Sequence, residues 1–479
     1  MFQKIVLSIV LFFSLSIVTF FLLIKVIDFN EYKPKIHKAI KESTGYEVLI
    51  RGDIVLSLSP VGVRIFESEI INPQYRADAP FATLESFDIA LEIAPLLRKE
   101  IKIKYVTLGK LNLHIEKNKQ GRLNYELQNV KPTVEKKQKD QNASTAKEYE
   151  APLVNIKQLN FTEAAIHYED LLSGAKIKAE HLDMIISDIS FDVLKQNKLQ
   201  GLLFKAEAQM EKLSVDAYTF SKLSMNAEMK DALLVVTNLK YTLFDSLMQG
   251  SGKLDLSAKV PKISIKSKVP ELKLQSLSKA LYGKELFDGN AIGEFKLACS
   301  LGDAQTIKST LGGFVFIGGE NIVLKGYDVD TLASSLSDPK NGTLLNLFSG
   351  KTSDKSESLL QNGVFKSDIG YSEAKLSDVA ISTEKHRIAL KGAVNIVEER
   401  LLDVKVAILD AKGCASFEQT FVGTLKKPAL KIDEATVNAI ANAALSLLGK
   451  SKKQAVEQPK SDENCTPFYE GTVKHPEIK

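Results

Sequence analysis

The stretch GDIVLSLSPVGVRIFESEIINP, Gly52–Pro73, places apolar side chains on alternate residues on both sides of Pro60. Period two is the mark of a strand with one dry face, and a proline between two such runs reads as a turn, so the segment is a strand, a turn and a second strand. It contains no obvious catalytic group. The question it poses is what its apolar face touches.

The same period continues downstream. Leu254, Leu256, Ala258 and Val260 alternate with Lys253, Asp255, Ser257 and Lys259; Phe295, Leu297, Cys299 and Leu301 alternate with polar neighbours; so do Leu402, Val404, Val406 and Ile408. These are strands of the antiparallel kind, one face wet and one dry. Helical spacing is rare by comparison. It occurs over Glu271–Tyr282, with Leu274, Leu277 and Leu281, and over Ala435–Leu448, with Val437, Ile440, Ala444 and Leu448. Two short helices cannot cover this much sheet, so the dry faces meet one another in a sandwich or barrel, or meet something that is not protein. Alternation alone leaves both open.

Upstream, Ile5–Ile24 is twenty residues without a charge or proline, bracketed by Lys4 and Lys25. At about 1.5 Å per residue it spans roughly 30 Å, one hydrocarbon core, and no small-residue cleavage site follows, which predicts an uncleaved single-pass anchor. Lys25, Lys33, Lys35, Lys38 and Lys41 on the C-terminal side argue by the positive-inside rule for a cytoplasmic body, but a long domain behind a first hydrophobic segment is translocated largely regardless of charge. Tyr32, Ile36 and Ile40 then predict a short amphipathic helix ending at Gly45.

Composition and motifs exclude several functions. The net charge of +4 is spread over a chain that is 25% charged, with no basic cluster, which argues against nucleic acid. His37, His114, His167, His181, His386 and His475 lack metal-ligand spacing. There is no nucleophile elbow or P-loop, and Gly312-Gly313 and Gly318-Gly319 read as turns or bulges flanking a short strand. No enzyme, cofactor or metal is expected. Gln128–Pro152 is polar and without period, as is Lys450–Asn464, and Pro339–Glu357 reads as a loop.

The order of elements resembles the AsmA family: an anchor and amphipathic helix, then strand, Pro turn, strand and Asn72-Pro73; Thr83–Leu97 with Pro95-Leu96-Leu97; Ile101–Glu116; and Gly121-Arg122-Leu123-Asn124-Tyr125, where Tyr125 stands in place of a common indole. Gly283–Gly289, Leu311–Leu336 and Gly423–Asp433 are similar as well, while Pro152–Lys253 fits by strand pattern only. The resemblance implies a mainly β protein of a Gram-negative bacterium: an N-terminal transmembrane helix, then an elongated, curved antiparallel β-sheet groove with a few short helices, similar to repeating β-groove lipid-transfer proteins. The expected organisation is an anchor over 1–27, the start of the groove over 28–127, a linker over 128–151, the groove body over 152–433, and a helix and tail over 434–479.

The function so implied is lipid binding and transfer from an inner-membrane anchor. Phospholipid would move between inner and outer membranes, and the bulk of the chain would lie in the periplasm. The groove candidates are Leu56, Leu254, Leu256, Leu297, Val404 and Val406. Phospholipid and the inner membrane are the expected partners, with the outer membrane or its proteins as further ones. A periplasmic scaffold for outer-membrane proteins, recruiting strands at sheet edges, is the alternative. In an oxidising periplasm Cys414 and Cys465 could pair and pin the tail, while Cys299 is a small apolar-face residue. Asp140-Gln141-Asn142-Ala143-Ser144 resembles the extended sequon of bacterial oligosaccharyltransferases, which makes Asn142 a glycosylation candidate.

Overall fold

The computed structural model describes residues 28–58, 60–98, 102–127, 157–191, 199–337, 356–431 and 465–477. The expected anchor, the linker with Asn142, most of the 339–357 loop and the 435–448 helix lie outside these residues. Among the described residues no helix is long and apolar enough to cross a membrane. The protein is mainly β, and it divides into two compact units, Met1–Asp231 and Ala232–Lys479.

In the first unit, helix α1 (Lys33–Thr44) begins with Pro34 in its first turn and ends at Gly45, whose left-handed φ of 83° lets its N–H reach the Lys41 carbonyl. His37 Nδ1 lies 3.0 Å from the Val48 carbonyl and ties the helix to the first strand. Ten strands follow: β1 (Glu47–Ile50), β2 (Ile54–Leu58), β3 (Val61–Ile71), β4 (Ala82–Leu91), β5 (Ile103–Gly109), β6 (Asn112–Lys117), β7 (Gln158–Asp170), β8 (Lys176–Phe191), β9 (Leu202–Val215) and β10 (Tyr218–Lys230), with the short helix α2 (Ile93–Leu97) after β4. β1 and β2 are halves of one interrupted strand along β3, and β5 and β6 are halves of another along β4. Every pairing is antiparallel except that of β7 with β5 and β6, which is parallel. The sheet is therefore mixed, because β7 runs in the same direction as β5 and β6 beside it.

The second unit is an antiparallel meander of β11 (Leu233–Leu243), β12 (Ser246–Asp255), β13 (Lys262–Lys273), β15 (Asn290–Ser300), β16 (Gly312–Lys325), β17 (Glu357–Gly370), β18 (Glu373–Ser382), β19 (Arg387–Asn395), β20 (Arg400–Leu409), β21 (Ala415–Thr424) and β22 (Lys427–Leu430), with the two-residue β14 (Phe287–Asp288) against β16. Helices α3 (Leu274–Tyr282), α4 (Ala304–Thr310) and α5 (Val329–Ser337) occupy connections.

Several local expectations are corrected. The helix expected from Glu271 begins only at Leu274, because β13 runs on to Lys273 with Leu272 paired to Ala291. Ala258 and Val260 are not strand residues, since β12 ends at Asp255, where the Asp255 carboxylate accepts hydrogen bonds from the Ser257 N–H and hydroxyl and turns the chain. Gly318-Gly319 lies within β16 rather than at a turn. Gly313, also in β16, has φ 131°, and a Cβ there would stand 1.8 Å from the Lys296 carbonyl oxygen. Close strand approach, not phosphate binding, requires that glycine.

Candidate functional site: an apolar face on each sheet

Residues paired directly across a ladder share a face, so the registers show what each face carries. In the first unit one row runs Ile54, Ile65, Phe87, Leu108, Phe161, Met184, Ala208, Met225 across eight strands. The next row runs Leu56, Val63, Ile89, Val106, Leu159, Ile186, Ala206, Ala227. At about 4.8 Å per strand each row is roughly 34 Å long. The adjacent row on the opposite face reads Arg64, Asp88, Thr107, Asn160, Ile185, Glu207, Asn226, with Arg64 Nε paired to Asp88 and Asn160 Nδ2 donating to Thr107. One face is apolar and the other polar.

The apolar rows keep their face despite a break in the alternation. Along β7 the apolar positions step from Phe161 to Ala164, and along β8 from Ala179 to Leu182, three residues rather than two. The same step takes Leu108 to Leu111 and Phe220 to Leu223. At these steps Lys110, Glu163, His181 and Lys222 adopt left-handed φ of 46–52°, as Glu67 does in β3. Each of the five is exposed. A left-handed residue in a strand re-aims the chain like a bulge and restores the phase, so Phe161, Met184 and Met225 on one side of the line and Leu111, Ile166 and Met210 on the other pack around the buried Ala164, Leu182 and Ala208. This crease eluded the sequence reading. Its signal is a pair of residues, one of them charged or imidazole, between two apolar positions on successive strands.

In the second unit the corresponding row is Val236, Gly252, Ile265, Leu297, Gly313, Ile369, Ala374, Val394, Leu401. A parallel row contains Ile317, Phe365, Val379, Leu390 and Val406, and a third Leu234, Leu254, Ile263 and Cys299. Opposite lies Lys266, Lys296, Phe314, Asp368, Lys375. On that polar face, the tail residues Phe468, Tyr469 and Val473 cover a column of small residues, Val364, Ala380, Ala389 and Ala407. Arg387 holds the tail from beneath, donating to the Val473 and Asp410 carbonyls, and the Tyr469 hydroxyl donates to Asp378. Burial first, then the Asp378 carboxylate, pushes the Tyr469 phenol up to about 12. Cys414 and Cys465 are paired, their Cα atoms 6.3 Å apart, at the start of this strap.

Among the described residues these rows carry no comparable cover, although further along the same face Tyr241, Met248 and Val269 of β11–β13 are only 3–4% exposed. The largest side chains with under 2% exposure are Asn72, Thr383, Ser246, Ser267, Ser278 and Ser382; no Leu, Ile or Phe among the described residues is enclosed to that degree. Two sheets packed face to face enclose large apolar side chains between them, about 10 Å apart. Here Ile265, Leu297, Val379 and Leu390 are half-buried and Ile263 and Phe365 are 39% exposed, as expected when only neighbours on the same face shield them.

Of the residues singled out from sequence, Leu56, Leu254, Leu297 and Val406 stand in these rows and are half-buried. Leu256 lies one residue past the end of β12, its N–H on the Ala232 carbonyl, and is also half-buried. Val404 is buried opposite Phe421, closed to solvent. Leu402 falls on the other face from Val406, because Asp403, at φ 46°, shifts the phase of β20. Cys299 is free and shares the row of Ile263; burial raises its thiol. Among the described residues no group of acidic, histidine or cysteine side chains could hold a metal ion.

The structure thus defines a class: a mainly β protein of long strands that carry one apolar face in each unit. Residues 1–222 match the model of the AsmA family. The match ends within β10, nine residues short of the unit boundary at Asp231. It includes β7 to β9, which the sequence connects to the family by strand pattern alone. No curated protein matches the chain.

Proposed function

We propose that the protein binds lipid acyl chains on its apolar sheet faces and supports phospholipid movement between the inner and outer membranes, from an inner-membrane anchor with its bulk in the periplasm. The observation that carries the reading is that Ile265, Leu297, Val379 and Leu390 are only half-buried among the described residues, although the rows they stand in are apolar across many strands. At ~0.8 kcal/mol per buried CH₂, an acyl chain exposed to water costs on the order of ten kcal/mol, and a continuous apolar row removes that barrier. Sliding along the row exchanges like contacts for like, so no catalytic residue is needed. The AsmA match over residues 1–222 supports the reading without naming the lipid.

A photo-reactive amino acid at Ile265 or Leu297 should capture phospholipid, while one at Lys296, adjacent in sequence and on the polar face, should not. Equal capture at 296 and 297, or none at either apolar position, rejects lipid binding on this face.

A further inference from the structure

A pocket in the first unit lies apart from the apolar rows. Two asparagines singled out in the sequence form its floor: Asn72, after β3, and Asn124, in the Gly121–Tyr125 segment. His114 and Glu116 on β6 alternate with Leu113 of the apolar face, so their side chains project on the polar side, where this cavity of about 60 Å³ opens.

The hydrogen-bond capacity of the pocket is lopsided. Asn72, 2% exposed, donates from Nδ2 to the carbonyls of Asn124 (2.8 Å) and Glu126 (2.9 Å), and its Oδ1 accepts from the Gln74 N–H. Asn124, 7% exposed, donates from Nδ2 to the His114 carbonyl at 2.7 Å. A carbonyl can only accept, so the orientation of the Asn124 amide is set, and its buried Oδ1 is left with no partner. The Tyr75 hydroxyl already donates to Glu116 Oε1 at 2.7 Å, and the His114 N–H to the Phe81 carbonyl. Arg76 stands 3.8 Å from the same carboxylate oxygen, its side chain half in solvent at the rim. Beside the His114 imidazole and the rings of Tyr75 and Phe81, the interior offers a visitor two acceptors, an orphaned amide oxygen and a carboxylate. An anion would meet both oxygens repulsively.

We infer that this pocket binds a primary ammonium group, whose N–H donors satisfy Asn124 Oδ1 and the Glu116 carboxylate, with a phosphate two carbons away reaching Arg76 at the rim. The chemistry is that of phosphoethanolamine, from a lipid headgroup or from a soluble compound. A trimethylammonium group has no N–H to give these oxygens. The site stands on its own geometry, whether or not the apolar face carries acyl chains.

The test is calorimetric titration of the full chain in detergent with glycerophosphoethanolamine and glycerophosphocholine. The ethanolamine compound should bind at least about tenfold more tightly, and Glu116→Gln should weaken it by a similar factor, the scale of one charge-assisted hydrogen bond. Circular dichroism of the variant checks that the fold is kept. Displacement of the bound compound by phosphatidylethanolamine vesicles assigns the site to a headgroup, and displacement by the soluble amine alone assigns it to a soluble ligand; both sustain an ammonium site. Equal binding of the two compounds, binding of neither, or unchanged affinity in a folded Glu116→Gln variant overturns it and leaves ordered water as the partner of Asn124.

Discussion

Placing a charge on the apolar face distinguishes an uncovered sheet from a closed core. Leu297 is half-buried between Ile265 of β13 and Gly313 of β16, so truncating its contacts removes about half of the ~1.5–3 kcal/mol that full burial of a leucine contributes, roughly 1 kcal/mol. A glutamate there reaches water beside a glycine and keeps its hydration. Ala389, by contrast, is fully enclosed beneath the tail, and a glutamate there is an unpaired buried charge costing several kcal/mol, a large share of a total stability near 5–15 kcal/mol. Urea unfolding should therefore show a small fall in midpoint for Leu297→Glu at constant slope. Ala389→Glu should either unfold the second unit or strip the tail, the latter read as new proteolysis within 465–477. Leu297→Glu should in addition lose lipid capture while it remains folded. If it destabilises as strongly as Ala389→Glu, protein covers that face and the proposed lipid path is wrong.

Alkylation of the unreduced, denatured protein should label Cys299 alone, and the Cys414→Ser/Cys465→Ser variant should lose about 4 kcal/mol, the chain-entropy value for a separation of 51 residues, with the tail becoming protease-sensitive first. Tyr469 ties stability to alkaline pH: its folded pKa of about 12 lies above the ordinary value of 10, so its contribution is complete below pH 10 and is lost as pH rises through 12. Tyr469→Phe should accordingly flatten the fall in urea midpoint between pH 10 and 12, and an unchanged slope would show the phenol to be irrelevant there. At the crease, His181→Gly should be neutral to stabilising by up to about 1 kcal/mol, because glycine adopts positive φ without strain, whereas His181→Val should destabilise; the reverse order in thermal unfolding would reject the left-handed conformation.

Alternation made the strands and their dry face legible, since period two depends only on which side of the backbone a Cβ leaves. It was least reliable where the backbone departs from extended geometry. Leu402 and Val404 look equivalent two residues apart, yet Asp403 takes a left-handed φ and sends them to opposite faces. Val404 was legible as apolar but not as closed, because its burial depends on Phe421, a residue of another strand. The tail strap was visible only as two cysteines. Nothing local in Phe468, Tyr469 or Val473 says that they will lie on alanines from β18, β19 and β20. Likewise Asn72 and Asn124 stood out as motif residues, but their juxtaposition depends on a fold that brings together positions fifty-two apart.

The crease also bears on how a lipid could travel. A single bulge in one strand would throw the rest of that strand's side chains to the wrong face and interrupt the apolar row with polar residues. In the first unit the left-handed residues instead recur at Glu67, Lys110, Glu163, His181 and Lys222, so the strands shift phase along a common line and the apolar surface continues across it. The exposed side chains at this line find partners on the strands themselves: Lys110 Nζ lies 2.7 Å from Glu85, and His181 Nε2 lies 3.8 Å from Glu211. Charge is therefore kept at the bend while the apolar rows stay free of it. For a ligand held by apolar contact alone, such a bend changes the direction of the surface without adding a polar step. A lone substitution that removed one left-handed residue would put a charged side chain into the row, which makes the phase of the whole line, more than any one apolar residue, the property on which an uninterrupted path depends.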